Sequence, residues 1–256
     1  MFSNIWNTLL YKPLINGLAF LISIVPGGDV GIAVIVLTIL VKLLLFPLSE
    51  RQIRNQAAMN LLAPELSKIK ANGASKEEQA KQTFELYKKH KTNPFSGCLL
   101  VLIQIPIIFA LYYVFFKEIN FESGLLYSFI HVPTQIKMIF LGLIDIGKPS
   151  LILAVLAAVS QYFQFYLMPK PPTPSTTFAN SLQVNLSKSM NTNMQYFFPI
   201  LIFVFLYTGI PGLIVPLSGV IALYWVTSNI FTIGQQIYVN KTEKKVLAKE
   251  IKVLSS

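Results

Sequence analysis

Charged residues, cysteine and histidine are all scarce in this chain. Asp, Glu, Lys and Arg make up only 12% of its 256 residues, about half the share found in soluble domains. The single cysteine excludes an intramolecular disulfide and a cysteine-cluster metal site. His90 and His131 lie far apart in sequence, among residues that do not bind metals, so we predict no metal or cofactor site. Hydrophobic residues reach 54%, which is a composition typical of membrane proteins.

The net charge of +10 is the usual sign of a nucleic-acid partner, but its distribution indicates a membrane topology instead. Nine Lys and Arg residues lie in 49–94, two in 169–194 and five in 240–256. Segments 1–29 and 117–148 together hold only four. This alternation matches the excess of positive charge in cytosolic loops, so the three basic segments are predicted to be cytosolic and DNA is not a predicted partner.

Five apolar runs are long enough to cross the hydrocarbon core of a bilayer, which takes about 20 residues per helix. The predicted spans are 30–48, 95–116, 149–168 and a pair within 195–239. The last is a pair because its apolar stretch holds 44 residues, and the glycines and prolines of 209–216 supply a turn. An odd number of spans places the N-terminus outside and the basic C-terminus in the cytosol.

The segments between the spans have distinct predicted roles. Residues 1–29 read as an amphipathic helix on the outer surface, with an uncleaved signal anchor as the alternative. Residues 49–94 read as a cytosolic helical hairpin. The others are an external loop at 117–148, a flexible cytosolic loop at 169–194 and a basic cytosolic tail at 240–256.

The predicted hairpin consists of one helix at 49–71 and a second that opens at Ser75, with Glu78 completing a capping box. Ala80, Phe84 and Tyr87 are expected to form the apolar face of the second helix.

Lys42 is the only charged residue in the first span, and none of the spans contains Asp or Glu. A lysine near the centre of a span costs roughly 2.5 to 3.5 kcal/mol on insertion scales. Gly31, Thr38 and Ser49 share its helical face, which forms a stripe of small and polar residues. Lys42 lies about 9 Å from the inner end of the span, so snorkelling to the interface and a role in a cavity both remain open.

Polar residues also line the other spans. They are Gln104 in the second span, Gln161 and Gln164 in the third, and Trp225, Asn229, Thr232 and Gln236 in the fifth. Hydrogen bonding between helices is the simpler explanation for any one of them, although it is worth only about 0.6 kcal/mol per bond in membranes. Polar faces on three helices together with a lysine exceed what packing requires. We therefore predict a hydrated cavity that opens toward the cytosol.

The spans contain no nucleophile–base pair and no intramembrane carboxylate or histidine, so neither an enzyme nor a proton-coupled transporter is predicted. A single cation in a hydrated cavity attracts an anion or an acidic polypeptide.

Two motifs in these spans are similar to those of the YidC/Oxa/Alb family of membrane protein insertases. They are NPFSGCLLVLIQIPIIF, which begins at Asn93, and LYWVTSNIFTIGQQ, which begins at Leu223. LAPEL, which begins at Leu62, resembles the cytosolic coiled-coil loop of that family. The resemblance is to the short bacterial form, which has no large outer domain.

The resemblance implies five transmembrane helices around a hydrophilic groove that is open to the cytosol and to lipid, in a bacterial plasma membrane. Family members insert and fold nascent membrane proteins, alone or beside the Sec translocon, without hydrolysing nucleotides. The helical hairpin is implied to capture clients or to contact the ribosome. Lys42 aligns with the positive residue that attracts the client's polar segment, where many bacterial members carry arginine. A small-solute transporter or channel, and a chaperone without insertion activity, are the alternatives.

Overall fold

The computed structural model describes residues 7–90, 92, 106–110, 113, 121, 126–168, 182–209 and 217–254. This part of the chain is predominantly helical, as the sequence predicts for an all-α protein. The chain divides into two compact units. The first comprises Met1–Leu45, Leu102–Tyr162 and Pro199–Thr232, and the second comprises Phe46–Val101, Phe163–Phe198 and Ile233–Ser256.

The helices are numbered here in the order in which they occur along the chain. They are α1 (Lys12–Ile24), α2 (Val30–Leu44), α3 (Phe46–Leu61), α4 (Ala63–Ala71), α5 (Lys76–Lys89), α6 (Leu151–Leu167), α7 (Leu182–Thr208) and α8 (Gly219–Leu254). A π-helical turn at Asn7–Tyr11 and a 3₁₀ turn at Pro26–Gly28 flank α1, and residues 106–110 are also helical. The strands β1 (Ile139–Phe140) and β2 (Ile144–Asp145) form an antiparallel hairpin.

The helix ends differ in places from the predicted spans. Helix α2 ends at Leu44 and α3 begins two residues later, so the run 30–48 contains a break. Helix α7 begins at Leu182, which makes residues 182–194 helical instead of part of a flexible loop. Most of the predicted span 95–116 lies outside the described residues. Within the described residues, no single helix is long and apolar enough to pass as a membrane span, and only α2 and α3 pass as a pair.

The core of the first unit is built largely where α1 meets α2. Leu18 and Ile22 of α1 lie one turn apart and are fully buried, as are Val30 and Val34 of α2. Gly17 faces α2 closely, because a Cβ at this position would lie 3.2 Å from a methyl carbon of Leu37. Residues of both helices therefore contribute to the protein core.

Asp29 joins the start of α2 to the β-hairpin. Its carboxylate accepts hydrogen bonds from the backbone N–H groups of Gly31 at 2.8 Å and Ile32 at 3.1 Å, which caps the helix. The second carboxylate oxygen accepts from the N–H of Leu141 at 2.8 Å. Gly28, at φ +65°, precedes Asp29, and glycine is required there because a Cβ would clash with the carbonyl oxygen of Gln135.

The far end of the β-hairpin is bound to the start of α8. The carbonyl oxygen of Ile146 accepts hydrogen bonds from the Ser218 hydroxyl at 2.6 Å and from the Val220 N–H at 3.1 Å. The Gly219 N–H donates to the Lys148 carbonyl oxygen at 2.9 Å. One short segment therefore links the first turns of α2 and α8.

In the second unit, α4 and α5 form a helical hairpin. The cap is confirmed, because the Ser75 hydroxyl oxygen accepts from the Glu78 N–H at 3.3 Å. The predicted first helix is divided at Leu62 into α3 and α4, since Pro64 lacks the N–H of a continuous helix and its ring clashes with the preceding turn.

The packed face of α5 is also different from the predicted one. Leu86, which is 8% exposed, packs with Leu62 and Leu66 of the preceding segment, and Tyr87 lies against this cluster. Burial raises the pKa of the Tyr87 phenol. Phe84 is 62% exposed, so the predicted face of Ala80, Phe84 and Tyr87 is wrong in its first two members.

Truncation of Leu86 is expected to open this hairpin. Leu86→Ala removes a buried side chain from a small cluster and should reduce the local stability of α5 by about 2 to 4 kcal/mol. Faster backbone hydrogen exchange across Lys76–Lys89 in the full chain measures the loss. Phe84→Ala on the exposed side of the same helix is the matched control and should change the stability by less than about 0.5 kcal/mol. Equal effects of the two substitutions would contradict this packing.

Candidate functional site

Lys42 lies in the last turn of α2, and its ammonium is bound by a neutral group. Nζ donates a hydrogen bond to Oγ1 of Thr232 on α8 at 3.2 Å. That hydroxyl in turn donates to the carbonyl oxygen of Ser228 at 2.8 Å, so its lone pairs are available to the lysine. The pair joins two helices of the first unit.

The described carboxylates of this unit, Asp29 and Asp145, are both engaged away from Lys42. Asp29 binds the N–H groups that cap α2, and Asp145 accepts from the Gly147 N–H and lies 3.4 Å from Nζ of Lys148. No ion pair involves Lys42 within the described residues. A cation bound by one hydroxyl keeps donor capacity for an additional acceptor.

Thr38 lies one turn before Lys42 on α2 and is buried. Its hydroxyl donates to the carbonyl oxygen of Val34 in its own helix at 2.6 Å. This bond satisfies the Thr38 donor locally, as is common for threonine within helices.

Two pairs of polar side chains connect α6 to α8 in the first unit. The indole N–H of Trp225 donates to the Gln161 side-chain oxygen at 2.7 Å. One turn further along α8, the Asn229 amide donates to the Ser160 hydroxyl at 3.0 Å. Gln161, Ser160 and Asn229 are all buried. Each of these bonds ties one helix to the other, which is what the interhelical packing explanation requires.

Ser160 is the one member of these two pairs that the sequence did not indicate. It precedes Gln161 directly, and its hydroxyl also donates to the Ala157 carbonyl oxygen at 2.9 Å. A serine beside a predicted polar position on an otherwise apolar helix is the signal that identifies it.

The remaining predicted residues belong to the second unit or lie outside the described residues. The Gln236 amide is buried and donates to the Leu167 carbonyl oxygen at 3.0 Å. The side-chain oxygen of Gln164 is buried and has no hydrogen-bond partner among the described residues. Gln104 falls outside the part of the chain that the structure describes.

Two further glutamines of the second unit are buried. The Gln235 amide donates to the Phe46 carbonyl oxygen and to the Ser49 hydroxyl, both at 3.2 Å. Gln52 is buried on α3, and neither atom of its amide has a hydrogen-bond partner in the described part of the chain. A buried amide without partners is costly, at about 1 to 3 kcal/mol for each group, so this position favours a bound water or a polar ligand.

The candidate site in the first unit combines the ammonium group of Lys42 with neutral side chains that form hydrogen bonds. Among the described residues, no group of three or more His, Cys, Asp or Glu side chains could hold a metal ion. The arrangement can bind an acceptor such as a carboxylate or a peptide carbonyl at Lys42, while the α6–α8 bonds keep the neighbouring helices in place.

Comparison with known proteins identifies the family. The family model described as "60Kd inner membrane protein" matches residues 21–246. Proteins named "Membrane protein insertase YidC" are similar over most of the chain. The relative from Magnetococcus marinus is 32% identical over 92% of this chain and 36% of its own length. The relative from Rickettsia bellii is 31% identical over 93% and 40%, and that from Methylobacillus flagellatus is 30% identical over 96% and 38%.

The chain thus spans about two fifths of the length of these relatives. The match to the family model covers more than half of the chain and includes both quoted motifs. The resemblance seen in the sequence is therefore confirmed, and the chain belongs to the 60Kd inner membrane protein family, that of the YidC-type insertases.

Proposed function

We propose that this chain is a membrane protein insertase and chaperone. It draws the polar segment of a nascent membrane protein into a hydrated groove that contains Lys42, and it releases the apolar segment into lipid. The observation that carries the proposal is the coordination of Lys42, a cation within an apolar helix that is bound by the Thr232 hydroxyl instead of a carboxylate. Membership of a family whose relatives are named insertases supports the same conclusion.

The groove acts by lowering the cost of moving a polar segment through hydrocarbon. Lys42 and neighbouring hydroxyl and amide groups replace part of the hydration of an acidic or polar tail, so its path through lipid becomes shorter. The apolar segment then leaves sideways along the lipid-facing wall. Its burial in lipid drives the step, at about 25 cal/mol per Å² of apolar surface.

We assign the predicted groove residues three kinds of role. Lys42 and Thr232 contact the client, because the lysine retains donor capacity. Gln161, Trp225 and Asn229 hold α6 against α8 through the bonds described above and so keep the wall of the groove in shape. Thr38, Gln104, Gln164 and Gln236 complete the proposed polar lining.

The proposed architecture is a multi-pass protein with five transmembrane helices, in a bacterial inner membrane, with its N-terminus outside and its C-terminus in the cytosol. The alternation of basic segments supports this orientation. The helical hairpin α4–α5 captures clients or contacts the ribosome, and its exposed Phe84 offers an apolar contact. The Sec translocon is a proposed neighbour.

Reconstitution of the full chain into liposomes tests the proposal. A purified client with one apolar segment and a short acidic tail is added, and protection of the tail from external protease measures its translocation. The protein is expected to increase the protected fraction above that in protein-free liposomes. An unchanged fraction would overturn the insertase function.

Two further measurements on the same liposomes separate the alternatives. Flux of a small anionic solute without a client would indicate a transporter or channel. Improved folding of a client that is already inserted, without increased protection of its tail, would indicate a chaperone alone. The proposed insertase gives tail protection without solute flux.

A further inference from the structure

We propose that the segment 126–148, which carries the β-hairpin, is an anchor that inserts apolar side chains into the headgroup region of the outer leaflet. The partner of this surface is the bilayer itself. The inference rests on the membrane location in the proposed function and adds a lipid contact at the first turns of α2 and α8.

The first observation is an exposed cluster of large apolar side chains in a short segment. Leu143 is 84% exposed and Leu141 is 60% exposed, at the tip of the β-hairpin. The other exposed members are Phe129, Val132, Ile136 and Ile139. Single exposed apolar residues are ordinary, but six large ones within residues 129–143 indicate an interaction surface.

The second observation is the conformation of the hairpin tip. Leu141 and Gly142 both have positive φ, at 51° and 73°, and the Leu143 N–H donates to the Phe140 carbonyl oxygen at 3.0 Å. Two positive φ values define a type I′ turn, in which the first position favours Asn, Asp or Gly. Leucine is strained there, and the bond from its N–H to the Asp29 carboxylate holds it in place. A strained turn that projects two leucines outward is consistent with an apolar environment at the tip.

The third observation is where the segment is attached. It is bound to the first turn of α2 through Asp29, and to the first turn of α8 through the Ile146 carbonyl oxygen. The Tyr127 N–H donates to the side-chain oxygen of Asn16 on α1 at 2.6 Å. The ends of apolar helices lie at the headgroup region in a membrane protein, so these bonds place the segment at that level.

The composition of the segment also fits a lipid surface. The rings of Tyr127 and Phe129 are stacked with centroids 5.5 Å apart, and aromatic side chains are enriched at membrane interfaces. Lys137 and Lys148 are exposed, while Asp145 is the one carboxylate of 126–148. Lys137 and Lys148 lie beyond the two strands, at the open end of the hairpin, and can contact lipid phosphates while the leucines at its tip enter the headgroup region.

Spin-label accessibility in liposomes tests the anchor. The label is attached at Leu143→Cys in a Cys98→Ser background of the full chain. A label at Glu85→Cys on α5 is the water reference, and a label at Val159→Cys, in the middle of α6, is the lipid reference, because both positions are exposed. The label at position 143 is expected to collide more often with oxygen, and several-fold less often with a nickel chelate, than the label at position 85.

Three results would overturn the anchor. Nickel accessibility at position 143 equal to that at position 85 means that the tip lies in water. Low accessibility to both reagents means that a protein partner or a second copy covers it. High nickel accessibility at position 159 as well removes the membrane location, and then the proposed function fails together with the anchor.

A second variant separates the leucines from the rest of the hairpin. Leu141→Asn and Leu143→Asn together keep a turn that asparagine tolerates at positive φ, and they remove the apolar side chains. A label at Ile139→Cys should then become more accessible to nickel than in the chain with both leucines. Unchanged accessibility would show that the leucines do not anchor the segment.

Discussion

Insertion of a client with an acidic tail is expected to fall by about tenfold or more when Lys42 is changed to Glu. Two unit charges about 4 Å apart interact by about 4 kcal/mol at an effective dielectric constant of 20, and the substitution turns this attraction into repulsion. A change of 1.4 kcal/mol is already a factor of ten in an equilibrium constant. Lys42→Ala removes the attraction alone and should cause a smaller loss. Protease protection of the client tail in reconstituted liposomes measures both effects.

Lys42→Arg is expected to retain insertion, because arginine keeps the charge and its guanidinium can bind a carboxylate with two hydrogen bonds. Lys241→Glu, on the exposed surface of α8, is the control for a change in net charge. A client with a neutral tail is the second control and should lose less than the acidic one with each Lys42 variant. If Lys42→Ala and Lys42→Glu insert the acidic client as well as the unchanged chain does, the electrostatic role of the lysine is wrong.

Local sequence signals predict some features of the helical hairpin α4–α5 but not others. In the sequence, Ser75 predicts the N-cap of α5 and Gly73 predicts the turn before it. The structure contains both the cap and the turn, with Gly73 at φ +72°. Local signals could not select the packed face of α5, because Phe84 and Leu86 both lie on plausible apolar faces. The contact of Leu86 with Leu62 and Leu66 decides between them, and that contact depends on how the two helices are rotated.

Helical spacing in the sequence predicts the face on which each candidate site residue lies, but it does not predict which side chains pair. Lys42 and Thr232 were both placed on polar faces by their helical spacing, and the structure brings them within 3.2 Å. The partners of Trp225 and Asn229 could not be predicted, because a bond from α8 to Gln161 or to Ser160 depends on the relative shift of two helices. Helical spacing gives the face of each residue but not the height at which two helices meet.

Asp29 is a residue that the sequence could have indicated. It directly precedes the apolar run of α2, which is the usual position of an N-cap. Its bond to Leu141, 112 residues away along the chain, could not be foreseen, because only the folded chain brings the β-hairpin to the start of α2.

Asp29→Ala is expected to destabilise the first unit by about 2 to 4 kcal/mol. The carboxylate is buried and accepts bonds from the N–H groups of Gly31, Ile32 and Leu141. Loss of a cap alone costs about 0.5 to 2 kcal/mol, and donors left without partners in a buried site add to this cost. Thermal unfolding of the purified protein in detergent should show a midpoint lower by roughly 4 to 16 °C.

Asp29→Asn separates the two roles of the carboxylate, which caps α2 with one oxygen and binds the Leu141 N–H with the other. Asparagine caps helices about as well as aspartate, but it has one acceptor oxygen instead of two. It should therefore keep the start of α2 and lose the bond to Leu141, with an intermediate loss of stability and faster hydrogen exchange confined to the β-hairpin. Asp145→Ala is the matched control, because that carboxylate is half-exposed and its ion pair with Lys148 contributes about 1 kcal/mol or less. An effect of Asp29→Ala no larger than that of Asp145→Ala would mean that the link between α2 and the β-hairpin does not stabilise the fold.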